Sequence, residues 1–218
     1  MSPTPNRAEL TVDAVVFDLD GTLVDSMMCA PQAYADTLRA LGGQNLSVND
    51  VLAEWHIGPT SVVLEHFLGR PVGADDLACF AQRFEAAVAV VRPFDGVVAM
   101  LDAMARDERR LAVYTTATKW AAELMLAVAG LQDRFSSIVG GDDVTSPKPA
   151  PDGLELACQQ LGVVPSSACY VGDAAVDLEC AKAAGALPIH AAWGGRPVVP
   201  GNHLVAHCPL EIVELLRR

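Results

Sequence analysis

Residues 13–26 read DAVVFDLDGTLVDS, and the fold is decided by how this stretch behaves. It opens with a β-branched and aromatic run, residues 13–18, that stops at acidic residues and a glycine. Apolar residues at consecutive positions predict a strand buried on both faces, as in a parallel sheet. The acidic end predicts a functional loop where that strand stops. Asp18 and Asp20 stand two residues apart there, so both carboxylates can face one site while the chain turns. Gly21 gives the turn its freedom, and Thr22 can satisfy backbone donors.

Outward from this strand, helical and strand patterns alternate from Asp95 onward. The spacing predicts a helix over 95–108, the strand LAVYT (111–115), a helix over 118–129 and a short strand near Ile138 and Val139. Next come a helix over 152–161, the strand ACYVGD (168–173), a helix over 175–184 and the strand LPIHA (187–191). A short strand near Leu204 and Val205 and a helix over 209–217 close the chain. This alternation predicts an α/β fold, a doubly wound, Rossmann-like parallel sheet with ligands at the carboxyl ends of its strands.

Residues 26–91 break that rhythm with four helical patterns, 27–42, 48–56, 61–69 and 74–91. Gly42-Gly43, Gly58-Pro59 and Pro71 punctuate them, and no strand pattern intervenes. The expected organisation is a core of residues 1–25 and 92–218 with a small all-helical cap, residues 26–91, inserted into it. Two connections, near Asp25 and Arg92-Pro93, would then act together as a hinge.

Composition narrows the function. With 51% hydrophobic and 19% charged residues in 218, the chain has enough apolar material for a sizeable core. Fifteen basic against 27 acidic residues give a net charge of −12, which repels both a nucleic-acid backbone and an anionic membrane surface. A small anionic substrate remains compatible, because one metal ion and one lysine reverse the field inside a cleft. The six cysteines are scattered without a C-x-x-C pair and read as small buried hydrophobes in a reducing compartment. The N-terminal residues lack the apolar stretch of a secretory signal, and no apolar run reaches membrane-spanning length. The expectation is a cytoplasmic protein, a monomer or homodimer, that binds neither nucleic acid nor membrane.

Three further elements fall where a site at the strand ends would need them. The strand LAVYT runs out in two hydroxyls, Thr115 and Thr116. SPKPAPD fixes Lys148, one of only three lysines, between two prolines, so its backbone is held rather than free. YVGDAAVDLECAKAAG ends a strand in Gly172-Asp173 and starts a helix, with Asp177 on the same face of its first turn. Asp173 is equally placed to cap that helix.

Together the four elements resemble the haloacid dehalogenase-like hydrolase superfamily over nearly the whole chain. The wording DGTLVDS, KPxPD and VGDxxxDxxxAxxAG is similar to its phosphoglycolate phosphatase-like branch, whose helical cap lies between the first two motifs. The resemblance implies a phosphatase acting on a small phosphorylated metabolite with Mg2+ as cofactor. Asp18 would be the nucleophile, forming an aspartyl-phosphate, and Asp20 the acid and base. Thr115, Lys148 and backbone groups around Leu19, Asp20, Gly21 and Thr116 would hold the phosphoryl oxygens. Asp18, the Asp20 main-chain carbonyl and Asp173 would hold the metal. Asp177 is a direct ligand in some relatives and a water-mediated or lysine-pairing group in others. Trp55, His56 and the turn at Gly58 stand where relatives' cap loops contact the leaving group, although Trp55 can equally pack the cap. Two positions depart from the pattern: Ala174 replaces a hydroxyl or Asn, and Thr116 replaces a common Asn.

The same resemblance leaves other activities to weigh. A phosphosugar mutase uses the same aspartyl-phosphate, and a catalytically idle member would serve as a binding protein. Dehalogenase activity is disfavoured by the presence of Asp20. Phosphonate hydrolysis is disfavoured because no lysine lies between Asp25 and Arg92.

Overall fold

Ala14–Phe17 forms β1 in the computed structural model, which describes residues 12–54, 57 and 59–217. All four strand residues are buried, as a run without polar alternation requires. Five further strands follow: β2 (Arg110–Tyr114), β3 (Ser137–Val139), β4 (Ala168–Gly172), β5 (Leu187–Ala191) and β6 (Leu204–Ala206). All pair in parallel in the order β3-β2-β1-β4-β5-β6. β1 therefore lies between β2 and β4, where the strand order reverses, and a doubly wound sheet opens a ligand crevice at that point. Phe17 is in register with Val113 on one side and Val171 on the other, which brings three strand ends level.

The chain divides into two compact units, one formed by residues up to Asp25 with Pro93–Arg218, the other by Ser26–Arg92. In the first, α5 (Val97–Arg106) packs with α9 (Pro209–Leu216), and α7 (Asp152–Leu161) packs with α8 (Ala175–Ala184). α6 (Lys119–Val128) lies by β3. Alternate strand residues Ala14, Val16, Ala112, Tyr114 and Tyr170 form one core with Leu154, Ala157 and Leu161 of α7. The second unit comprises α1 (Cys29–Ala40), α2 (Val48–Glu54), α3 (Thr60–Leu68) and α4 (Ala74–Val88). Its centre is aromatic, with Tyr34 of α1 4.5 Å from Phe80 of α4 between ring centroids, and Phe80 stacked on Phe84 at 5.9 Å. Among the described residues no helix is long and apolar enough to cross a membrane.

The boundaries differ from the sequence expectation by no more than a few residues, notably at two strand ends. Thr115 and Asp173, expected as the last strand residues, each lie one position beyond the strand. Their side chains are thus freed from the alternation that the ladder imposes. Ala174, not Asp173, occupies the cap position of α8, and the Asp177 carboxylate accepts its N–H at 2.9 Å. The buried reading of the cysteines fits Cys29, Cys158, Cys169 and Cys180, but Cys79 is half-buried and Cys208 exposed. Cys208 precedes α9 at its cap, outside the apolar stripe of that helix.

Candidate active site

The site is built where β1, β2 and β4 end. Asp18 follows β1 directly and donates its backbone N–H to Val171 of β4 at 2.8 Å, so the sheet fixes its position although the strand has ended. The chain then turns through Leu19, whose carbonyl accepts the N–H groups of Thr22, Leu23 and Val24. Gly21 has φ +81°, and a Cβ there would sit 2.3 Å from Asp173 Oδ2. Only glycine admits both the turn and the close approach of that carboxylate. Thr22, expected to satisfy backbone donors, instead directs its hydroxyl to Asp18 Oδ2 at 3.5 Å. Its side chain is fully buried beside a carboxylate, which is the stronger acceptor available to it.

Lys148 arrives from the loop before α7, and its side chain is only 3% exposed. The ammonium donates to Asp18 Oδ1 at 2.6 Å, to Asp177 Oδ1 at 2.7 Å and to the Tyr170 hydroxyl at 3.0 Å. Those three acceptors match its three protons. Tyr170 in turn donates to the backbone carbonyl of Tyr114 at 2.8 Å, and the ammonium lies 5.3 and 5.5 Å from the Tyr114 and Tyr170 ring centroids. Burial alone would lower the lysine's pKa, but Asp18, Tyr170 and Asp177 together hold it well above the usual value. It stays cationic.

The carboxylates divide by partner. Asp177 is satisfied on both oxygens, by Lys148 and by the Ala174 N–H. Asp20 Oδ2 accepts the Thr115 hydroxyl at 3.4 Å, while Thr115 Oγ1 accepts the Ala117 N–H at 3.1 Å. Asp173 is buried, and its Oδ2 has no hydrogen-bond donor. Burial pushes Asp173 up to about 6, with Arg196 pulling the other way. Burial also raises Asp18; Lys148 opposes this, and the charges of Asp177 and Asp20 reinforce it. Ligand atoms of Asp18, Asp173 and Asp177 lie within 4.8 Å of one another. Oxygen donors, one buried orphan among them, and an excess of carboxylates over Lys148 and Arg196 fit a hard divalent cation.

The structure thus brings together Asp18, Asp173, Asp177 and Lys148, with Asp20, Gly21 and Thr115 beside them. Leu19 is buried in the turn, and Thr116 is exposed just past Thr115. Trp55, His56 and Gly58 lie outside the described residues. Two participants have no counterpart in the sequence reading. Tyr170 passes there for an ordinary core aromatic, and Arg196, whose Nε lies 2.8 Å from Asp173 Oδ2, sits in a loop without a motif.

Comparison with known proteins gives the chain relatives. The family model for haloacid dehalogenase-like hydrolases matches residues 15–190. A phosphoglycolate phosphatase from Xylella fastidiosa is 35% identical over 188 residues, covering 84% of this chain and 81% of that protein. An N-acetylmuramic acid 6-phosphate phosphatase from Pseudomonas aeruginosa is 29% identical, with 96% of each chain covered. The crystal structure of CbbY from Rhodobacter sphaeroides in complex with phosphate superposes with a TM-score of 0.78 at 25% identity. It covers 92% of this chain and 96% of that one.

Proposed function

The chain belongs to the haloacid dehalogenase-like hydrolase family, and from that premise we propose that it hydrolyses a small organic phosphate monoester through Asp18. One observation carries the reading. Asp18 places one carboxylate oxygen 2.6 Å from a buried lysine while belonging to a buried cluster of three carboxylates. A carboxylate so arranged is both oriented and deprived of water, as a nucleophile toward phosphorus should be.

Asp18 and Asp173, with the main-chain carbonyl of Asp20, would hold Mg2+, and Asp177 stands within reach. When bound, the ion compensates the charge of the phosphoryl oxygens. In the first half-reaction an Asp18 oxygen attacks phosphorus, and the bond to the ester oxygen breaks. Asp20 gives its proton to that leaving oxygen. In the second half-reaction Asp20 takes a proton from water, the water oxygen attacks phosphorus, and the bond to Asp18 breaks, releasing phosphate. Thr115 and the backbone N–H groups of Leu19, Asp20 and Thr116 would receive the equatorial oxygens, with Gly21 keeping the turn open. Lys148 adds positive charge and fixes the Asp18 carboxylate. Asp177 fixes Lys148.

The helical unit, Ser26–Arg92, is proposed as the cap that selects the leaving group, with Trp55, His56 and Gly58 as its contact residues. The relatives named above act on phosphoglycolate and on N-acetylmuramic acid 6-phosphate, so both head the substrate panel. The test is turnover of an aryl phosphate in Mg2+, in Ca2+ and in excess EDTA, by the wild type and Asp18→Asn. Expected are turnover with Mg2+ alone, inhibition by Ca2+, and a loss of about 10^4-fold or more in the folded variant. Undiminished activity in EDTA, or an Asp18→Asn rate within about tenfold of wild type, overturns the reading.

A further inference from the structure

The loop between β5 and β6 reads AWGGRPVVPGNH, residues 192–203. It is strapped to the nucleophile turn on one side of Arg196 and to the sheet on the other. The Trp193 indole N–H donates to the Thr22 carbonyl at 2.8 Å. Gly194 lies so close to the Gly21 carbonyl that a Cβ would sit 2.2 Å from its oxygen. Beyond Arg196, the Val199 N–H reaches Nε2 of His190, the β5 residue in register with Gly172, at 3.4 Å. Between these anchors the Arg196 Nε stands 2.8 Å from Asp173 Oδ2, although its side chain is 45% exposed.

The character of this contact is informative. Asp173 Oδ2 is buried and accepts no well-aligned hydrogen bond, so its contact with the Arg196 Nε is an ion pair by proximity. A group whose task is to orient a carboxylate donates to it directionally, as Lys148 does to Asp18 and Asp177. A group that only neutralises it needs proximity alone. We propose that Arg196 is a counter-cation that competes with the divalent ion for Asp173, so that metal binding displaces the Arg196 side chain from that carboxylate while the loop stays anchored on either side. The proposal rests on the reading of Asp18 and Asp173 as metal ligands.

The test uses the full chain and Mg2+ alone, titrated calorimetrically into the wild type, Arg196→Gln and Arg196→Lys. Removing one positive charge next to a dication should tighten Mg2+ binding by on the order of tenfold in Arg196→Gln. Arg196→Lys should stay near wild type. In EDTA the Gln variant should melt below wild type, since its carboxylates lose a counter-ion, and saturating Mg2+ should close that gap. An unchanged Mg2+ affinity in Arg196→Gln overturns the proposal, and a raised KM beside it would make Arg196 a substrate contact. Weaker Mg2+ binding in that variant also overturns it, since the arginine would then be orienting Asp173. No Mg2+ binding by the wild type would overturn the metal reading itself, and the inference with it.

Discussion

Lys148 and Arg39 each meet an aspartate at nearly the same distance, 2.6 Å to Asp18 in the sheet unit and 2.7 Å to Asp36 on α1. The first pair is 3% and 7% exposed in its side chains, the second 57% and 34%. At equal separation, burial changes what an ion pair is for. On the helix surface water solvates both partners, and the contact adds little. At the strand ends both charges have lost their water, and the loss is offset because the three ammonium protons and both Asp18 oxygens have specified partners. That arrangement is a poor way to gain stability and a good way to hold a carboxylate in one orientation.

Removing one partner should separate the two regions most widely. Lys148→Met keeps the volume but leaves Asp18 and Asp177 buried without their cation. Urea unfolding should then show a loss of about 3–5 kcal/mol. Activity toward every phosphate should fall by on the order of 10^3-fold, because the lysine acts on the group that all substrates share. Adding Asp177→Asn should recover part of the stability and none of the activity, since one orphaned charge is gone. If Lys148→Met unfolds like wild type, the buried pair is energetically no different from the surface one.

The same contrast explains what could be read from the sequence. The strands were legible because burial on both faces leaves consecutive apolar residues, as in Ala14–Phe17. Asp18, Asp20, Thr115, Lys148, Asp173 and Asp177 were legible because each follows a strand, sits in a proline frame or opens a helix, positions where chemistry-bearing residues stand out. Tyr170 was not. An aromatic in a buried strand reads as packing, and its hydroxyl acquires a task only when Lys148 is brought to it from 22 residues away in the chain. Its one signal was a hydroxyl that a buried strand has to satisfy somehow. Arg196 lies between Gly195 and Pro197 after a parallel strand, a frame much like that of Lys148 between its prolines. The same reasoning, applied to that loop, would have singled it out.

A smaller effect separates the carboxylates within the site. Burial raises Asp173 to about 6, so its folded-state pKa lies above the unfolded value near 3.8. Its contribution to stability is therefore full below the unfolded value and is lost as pH rises through about 6. Asp18 shifts in the same direction. His190 is lowered, chiefly by burial and then by His203, so it acts oppositely, its contribution being lost as pH falls below the unfolded value near 6.5. Asp173→Asn isolates the carboxylate. In EDTA the variant should gain on wild type as pH rises from 4 to 7, by up to about 1 kcal/mol per pH unit in the steepest part. With Mg2+ the order should reverse, because only the wild type keeps the ligand. A difference between the two that does not change with pH would show that Asp173 is not held in the environment its burial implies.

At the far end of the scale stands Arg39. It pairs with Asp36 three residues earlier on α1 and also donates from Nε to Asn45 at 3.2 Å, so by geometry alone it looks as well connected as Lys148. Water reaches both charges, however, and the long side chain must be ordered to make the contacts, which offsets much of their Coulomb gain. Arg39→Ala should therefore change stability by no more than about 0.5 kcal/mol, and less still in high salt. Asp36 would not be stranded by the change, since Gln32 donates to its other oxygen at 3.0 Å and solvent remains available. Turnover of the aryl phosphate should be unaffected. A destabilisation approaching that of Lys148→Met would mean that distance, and not desolvation, sets the strength of these pairs, and the contrast between the two regions would collapse.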